Sequence, residues 1–193
     1  MWNIITLLYT SDNKDMMLGG YLASHCGERI YQIDNLNQDM IKGVEIYNKI
    51  NKTLRSHSSV NDCIRRLSPF QRKYGHKVIG VFFDHFLLKN WNIYSNEDLN
   101  TIISTFHLHA DEHTDLIPYK SRNMLTICMD KNIYQNAASI QGLNSYFEAL
   151  EGSKTYLSYS VGDLTNQYNE FYIDFNIAMN FIREEFVMEK TCF

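Results

Sequence analysis

The stretch Val78-Ile-Gly-Val-Phe-Phe-Asp-His-Phe-Leu87 constrains this chain more than any other part of it. Between about Arg72 and Trp91 the apolar residues Val78, Ile79, Val81, Phe82, Phe83, Phe86, Leu87 and Leu88 cover nearly the whole circumference of a helix. A helix that is apolar all round belongs at the centre of a domain. Burying Asp84 and His85 in such a helix costs free energy unless both are hydrogen-bonded or hold a ligand. The functional reading is a metal carboxylate with a neighbouring ligand, or an acid-base pair. The structural reading is a pair that ties the helix to its neighbours. Adjacent helical residues point about 100° apart, so the two side chains cannot face one partner.

Punctuation elsewhere agrees with long helices. Only two prolines, Pro69 and Pro118, and nine glycines interrupt 193 residues, which suits an all-α fold far better than a sandwich of short strands. The length and a 45% hydrophobic content allow one domain, residues 1–193, with a substantial core. Apolar residues at three- and four-residue spacing, with Asn37 as cap, predict a helix from Met40 to about Arg55. A short helix after Ser59 should end at the Ser68-Pro69 step. Ser95-Asn-Glu-Asp98 should cap a helix through Leu99, Ile102, Ile103 and Phe106, and Pro118 should start the next. Ser139 should cap a helix ended by Gly152, and a last amphipathic segment should run from about Asp163 to Phe186.

Charge and cysteine usage narrow the function classes. A formal charge of -4, from 18 Lys plus Arg against 22 Asp plus Glu, leaves no excess for a phosphate backbone, so nucleic acid is not an expected partner. Cys26, Cys63, Cys128 and Cys192 form no CxxC pair, which suits reduced thiols and a cytoplasmic setting. The apolar start Met1-Trp-Asn-Ile-Ile-Thr-Leu-Leu-Tyr9 lacks a basic region and a cleavage site, so neither export nor a membrane span is expected. Arg65, Arg66, Arg72, Lys73, Lys77 and His76 concentrate positive charge around Pro69. They could dock an acidic partner, or merely solvate a turn.

Two further clusters carry chemistry on paper. His109-Ala-Asp-Glu-His113 has the H-x-x-E-H spacing of inverted zinc proteases, two histidines one helical turn apart. A solvated polar helix end is the better account of that short pattern. Cys26 beside His25 would be an activated thiol if the imidazole or a helix terminus lowered its pKa, and otherwise a small buried hydrophobe.

Read together, Leu18-Gly19, Gly43 with Ile50, His57, Arg66-Leu67, Lys73-Tyr-Gly75, Phe83-Asp-His-Phe-Leu87, Lys89-Asn-Trp91 and Ile140-Gln-Gly-Leu143 resemble the acyl carrier protein phosphodiesterase family in order and spacing. The resemblance implies an all-helical fold related to the HD phosphohydrolases. It also implies hydrolysis of the phosphodiester joining 4′-phosphopantetheine to a serine of acyl carrier protein, with manganese or magnesium as cofactor. Hard cations of that kind need oxygen and nitrogen ligands. At the positions where the family pattern carries a histidine or aspartates, this chain has Ser24, Tyr47, Asn51, Arg55 and Gly80, while His57, Asp84 and His85 are retained. Missing carboxylates plus the guanidinium of Arg55 predict no tightly bound metal.

These substitutions predict a relative of the phosphodiesterase that recognises acyl carrier protein without metal. Its acidic partner would dock on Arg65, Arg66, Arg72, Lys73 and Lys77, and Arg55 would take the phosphate of the phosphopantetheine arm through paired hydrogen bonds. Asp84, His85, His57 and Tyr47 are the candidate acid-base groups for an elimination, cyclisation, isomerisation or thioester hydrolysis on the tethered chain. A non-catalytic carrier- or partner-binding protein is the second expectation. A true phosphodiesterase recruiting Asp39, Glu45 or Asp62 as replacement ligands is the third.

Overall fold

A computed structural model describes residues 4–151 and 157–190, and among these there is no strand. The helices are α1 (Ile4–Thr10), α2 (Lys14–Cys26), α3 (Gln38–Ser56), α4 (Ser58–Arg66), α5 (Pro69–Arg72), α6 (Gly75–Lys89) and α7 (Trp91–Tyr94). They continue with α8 (Leu99–Glu112), α9 (Tyr119–Asp130), α10 (Ile133–Ala137), α11 (Ile140–Glu151), α12 (Ser160–Asn166) and α13 (Tyr168–Lys190). A 3₁₀ turn over Gly27–Gln32 joins α2 to the approach of α3. None of the described helices is long and apolar enough to cross a membrane.

The α6 helix is central, as its composition predicts. It packs against α1, α4, α10, α11 and α13, and from Val78 to Leu88 every residue except Gly80 is buried. Its phenylalanines meet rings of α13: Phe82 meets Phe171 at 5.2 Å between centroids, and Phe83 and Phe86 meet Phe175 at 5.3 and 5.4 Å. Such tilted and edge-on pairs add to the area they bury. The helix begins at Gly75, three residues later than the apolar pattern suggests, because Pro69 opens a separate turn, α5.

The predicted caps act as expected. Asn37 Oδ1 accepts the Met40 N–H at 2.8 Å, Asp98 Oδ2 accepts that of Thr101 at 2.8 Å, and Ser139 Oγ accepts that of Gly142 at 3.1 Å. Each satisfies an N–H that the first helical turn cannot use. His57 caps α4, its Nδ1 accepting the Ser59 N–H at 3.2 Å. The last amphipathic segment is two helices rather than one, with a break at Gln167. Gly152, the expected terminator of α11, lies outside the described residues, as does Cys192.

Two glycines fix the α2–α3 crossing. A Cβ on Gly19 would enter the backbone of Met40, and one on Gly43 the backbone of Met16. The two helices therefore meet main chain to main chain. Gly142 plays the same part between α11 and Asn136 at the end of α10.

Candidate functional site

Asp84 and His85 are completely buried, and each is committed to protein partners. Asp84 Oδ1 accepts the Ile4 N–H at 2.7 Å, satisfying a donor at the start of α1, and Oδ2 accepts the Tyr146 hydroxyl of α11 at 2.6 Å. Burial pushes the carboxyl up to about 7, and the two hydrogen bonds oppose that rise. His85 Nδ1 lies 2.7 Å from the Ala137 carbonyl, which can only accept, so Nδ1 carries a proton. His85 Nε2 lies 2.9 Å from the Tyr168 hydroxyl, which also accepts from Lys89 Nζ at 3.0 Å. Desolvation lowers the imidazole pKa and favours the neutral ring. The pair thus ties α6 to α1 and α11 on one side and to α10 and α13 on the other.

The cavity lies beside this pair and is lined by other residues. It has a volume of about 430 Å³ and is walled by His25 from α2; Tyr47, Asn51, Leu54 and Arg55 from α3; and Val60 from α4. His76, Lys77, Ile79, Gly80 and Phe83 of α6, Met124 of α9 and Leu150 of α11 complete it. The expectation that substrate meets Asp84 and His85 directly is therefore revised: neither lines the cavity, and their polar atoms are engaged in the core. His57 is also outside the lining, holding its cap with the ring 5.0 Å from that of Phe181.

Tyr47, Asn51 and Arg55 recur every fourth residue, which puts them on one face of α3. Across from them Gly80 supplies bare backbone. Four of the five altered positions, 47, 51, 55 and 80, thus share one cavity. The fifth, Ser24, is a neighbour: its Oγ lies 2.7 Å from Nδ1 of His25. Arg55 Nε donates to Asn51 Oδ1 at 3.2 Å. Burial lowers the pKa of His25 and of His76, the latter helped by Arg55, so both imidazoles favour the neutral form. Burial raises the Tyr47 hydroxyl, with Arg55 opposing.

A hard divalent cation does not fit this lining. Among the described residues that wall the cavity there is no carboxylate, whereas Arg55 and Lys77 are present. The candidate replacement ligands are elsewhere: Asp39 accepts from Lys42 and Asn13, Asp62 pairs with Arg65, and Glu45 is exposed.

The basic cluster is less available than its sequence suggests. Arg66 pairs with Asp174 of α13 at 3.2 Å. Arg72 donates to the Leu67 and Arg65 carbonyls at 2.9 and 2.8 Å, closing the end of α4. Arg65 pairs with Asp62 while remaining exposed, and Lys73 lies over the Tyr74 ring. Cys26 is a thiol raised by burial, which removes the activated-nucleophile reading.

Fold and cavity together define an all-helical domain with a pocket between α3 and α6, whose lining combines the cations Arg55 and Lys77 with apolar side chains. A family model described as acyl carrier protein phosphodiesterase matches residues 2–182, and the chain belongs to that family. No curated protein and no solved structure matches it.

Proposed function

We propose that this protein recognises acyl carrier protein and receives its phosphopantetheine-linked chain in the α3–α6 cavity without a divalent cation. One observation carries the reading. Four of the five positions at which this chain lacks the family pattern's acidic or imidazole groups, 47, 51, 55 and 80, wall a cavity whose charged lining residues are cationic. A phosphodiester is a monoanion whose two unesterified oxygens can be shared between a guanidinium and an ammonium. Arg55 and Lys77 would hold the phosphate of the arm, and Leu54, Val60, Ile79, Phe83, Met124 and Leu150 would pack its apolar chain.

Chemistry on that chain would fall to His25, His76 and Tyr47, because these line the cavity while Asp84 and His85 are confined to the core. Neutral imidazoles can accept a proton, as an elimination, cyclisation, isomerisation or thioester hydrolysis requires. The confinement of Asp84 and His85 also favours a second reading, a carrier-binding protein with no catalytic step.

Binding of apo-, holo- and acyl-carrier protein to the wild type and to Arg55→Ala tests recognition. Holo and acyl forms should bind more tightly than apo, and Arg55→Ala should remove that difference. Equal affinity for the three forms would end the proposal. Intact mass after incubation, with and without manganese, separates the chemistries. A change confined to the acyl chain favours catalysis, no change favours binding alone, and metal-dependent loss of phosphopantetheine would restore the phosphodiesterase.

A further inference from the structure

The H-x-x-E-H spacing near the end of α8 has a structural partner that the sequence does not show. His109 is buried rather than solvated, and its Nε2 lies 2.6 Å from Oδ1 of Asp15 in the first turn of α2. His113 lies one turn further on, its ring tilted against that of His109 at 4.3 Å between centroids. One ligand atom from each of Asp15, His109 and His113 lies within 4.8 Å of the other two.

We infer that Asp15, His109 and His113 form a binding site for a divalent transition metal of the zinc type, clamping α2 to α8. Two imidazoles and one carboxylate suit zinc better than magnesium or calcium, and three protein ligands leave a fourth position for water. The surroundings orient the ligands as metal sites require. His113 Nδ1 lies 3.0 Å from the His109 carbonyl, which can only accept, so Nδ1 holds the proton and the lone pair is on Nε2. That Nε2 has no hydrogen-bond partner among the described residues. His109 Nδ1 faces Glu112 Oε2 at 3.3 Å, the carboxylate–histidine arrangement that raises ligand basicity. Asn37 Nδ2 donates to Asp15 Oδ2 at 3.0 Å, leaving Oδ1 turned to His109.

Without metal, His109 and Asp15 hold each other by a hydrogen bond. Ligands about 2.0–2.1 Å from one tetrahedral ion stand ~3.3 Å apart, so an entering ion separates this pair by roughly 0.7 Å. Asp15 is only half-buried and can make that adjustment. The site is independent of the cavity: Asp15 and His25 are at opposite ends of α2, ~15 Å apart along its axis.

Titration of the full chain with Zn²⁺, and with Co²⁺ followed by visible absorption, tests the inference. One equivalent should bind, Co²⁺ should give the intense bands of a tetrahedral site, and Zn²⁺ should raise Tm. His113→Gln, at a half-exposed position, should weaken Zn²⁺ at least tenfold and abolish the Tm rise, while Glu112→Gln should weaken it about tenfold. His25→Ala should leave Zn²⁺ affinity unchanged. Absence of saturable binding would overturn the site, as would binding that survives His113→Gln or is lost in His25→Ala.

Discussion

Replacing Asp84 by asparagine separates the cost of burying its charge from the value of its hydrogen bonds. Asparagine can keep both contacts, with Oδ1 accepting from Ile4 and Nδ2 donating to the Tyr146 oxygen, while removing the ionisable group. Burial moves the carboxyl from its ordinary 3.8 to about 7. At ~1.4 kcal/mol per pH unit, ionising Asp84 inside the fold therefore costs roughly 4 kcal/mol. The sign follows from linkage. Between pH 4 and 7 the folded state binds more protons at Asp84 than the unfolded state, so its contribution to stability falls as pH rises through that window. Of the total, roughly 2.5 kcal/mol should appear between pH 5 and pH 8. Urea unfolding of wild type and Asp84→Asn at both pH values isolates this group, because the other titrations cancel in the difference. The variant should gain on the wild type by about 2–3 kcal/mol over that interval. Parallel stability curves would refute the argument, showing that the Ile4 and Tyr146 donors fully compensate the buried charge.

Tyr146→Phe removes one of those donors from a buried acceptor, and a loss of about 1–3 kcal/mol in urea unfolding is expected, largest above pH 7. A loss that does not change with pH would show that the hydroxyl does not serve the ionised form. Gly43→Ala should cost about 3 kcal/mol, since its Cβ enters the Met16 backbone and no rotamer change relieves that overlap. Wild-type stability in that variant would mean α2 and α3 can separate freely. His107 is buried with Nε2 unpartnered, and burial takes its pKa to about 4. The unfolded chain binds more protons there between pH 4 and 6.5, so stability falls as pH drops through that range. His107→Leu should flatten the decline by about 2–3 kcal/mol, read from the difference in unfolding free energy between pH 4.5 and 7. An unchanged acid slope would exclude His107 as its source.

Helices and caps were legible because they depend on neighbours in sequence: Asn37, Asp98 and Ser139 each serve an N–H three residues on. The core position of α6 was equally legible from its apolar circumference. What the buried polar groups do was not, since it depends on residues brought together from afar. Asp84 meets Ile4 across 80 positions, His109 meets Asp15 across 94, and Arg66 meets Asp174. Arg66 reads as free surface charge for the same reason, whereas Arg72 does so because the turn at Pro69 brings it back to the Leu67 and Arg65 carbonyls. The cavity was half legible: spacing puts Tyr47, Asn51 and Arg55 on one face of α3, but only the fold shows that this face looks towards Gly80 rather than Asp84.

Contact between the α2 and α3 backbones has a consequence for ligand choice. His25 is carried by one of these helices, and Tyr47, Asn51 and Arg55 by the other. With no side chain between them at Gly19 and Gly43, that corner of the chamber acts as a fixed jaw. A bulkier guest would gain room more readily by displacing the side chains that α9 and α11 contribute, Met124 and Leu150. On the proposed function, selection among chain lengths would then rest on Met124 and Leu150, with Arg55 and Lys77 holding every guest in one register.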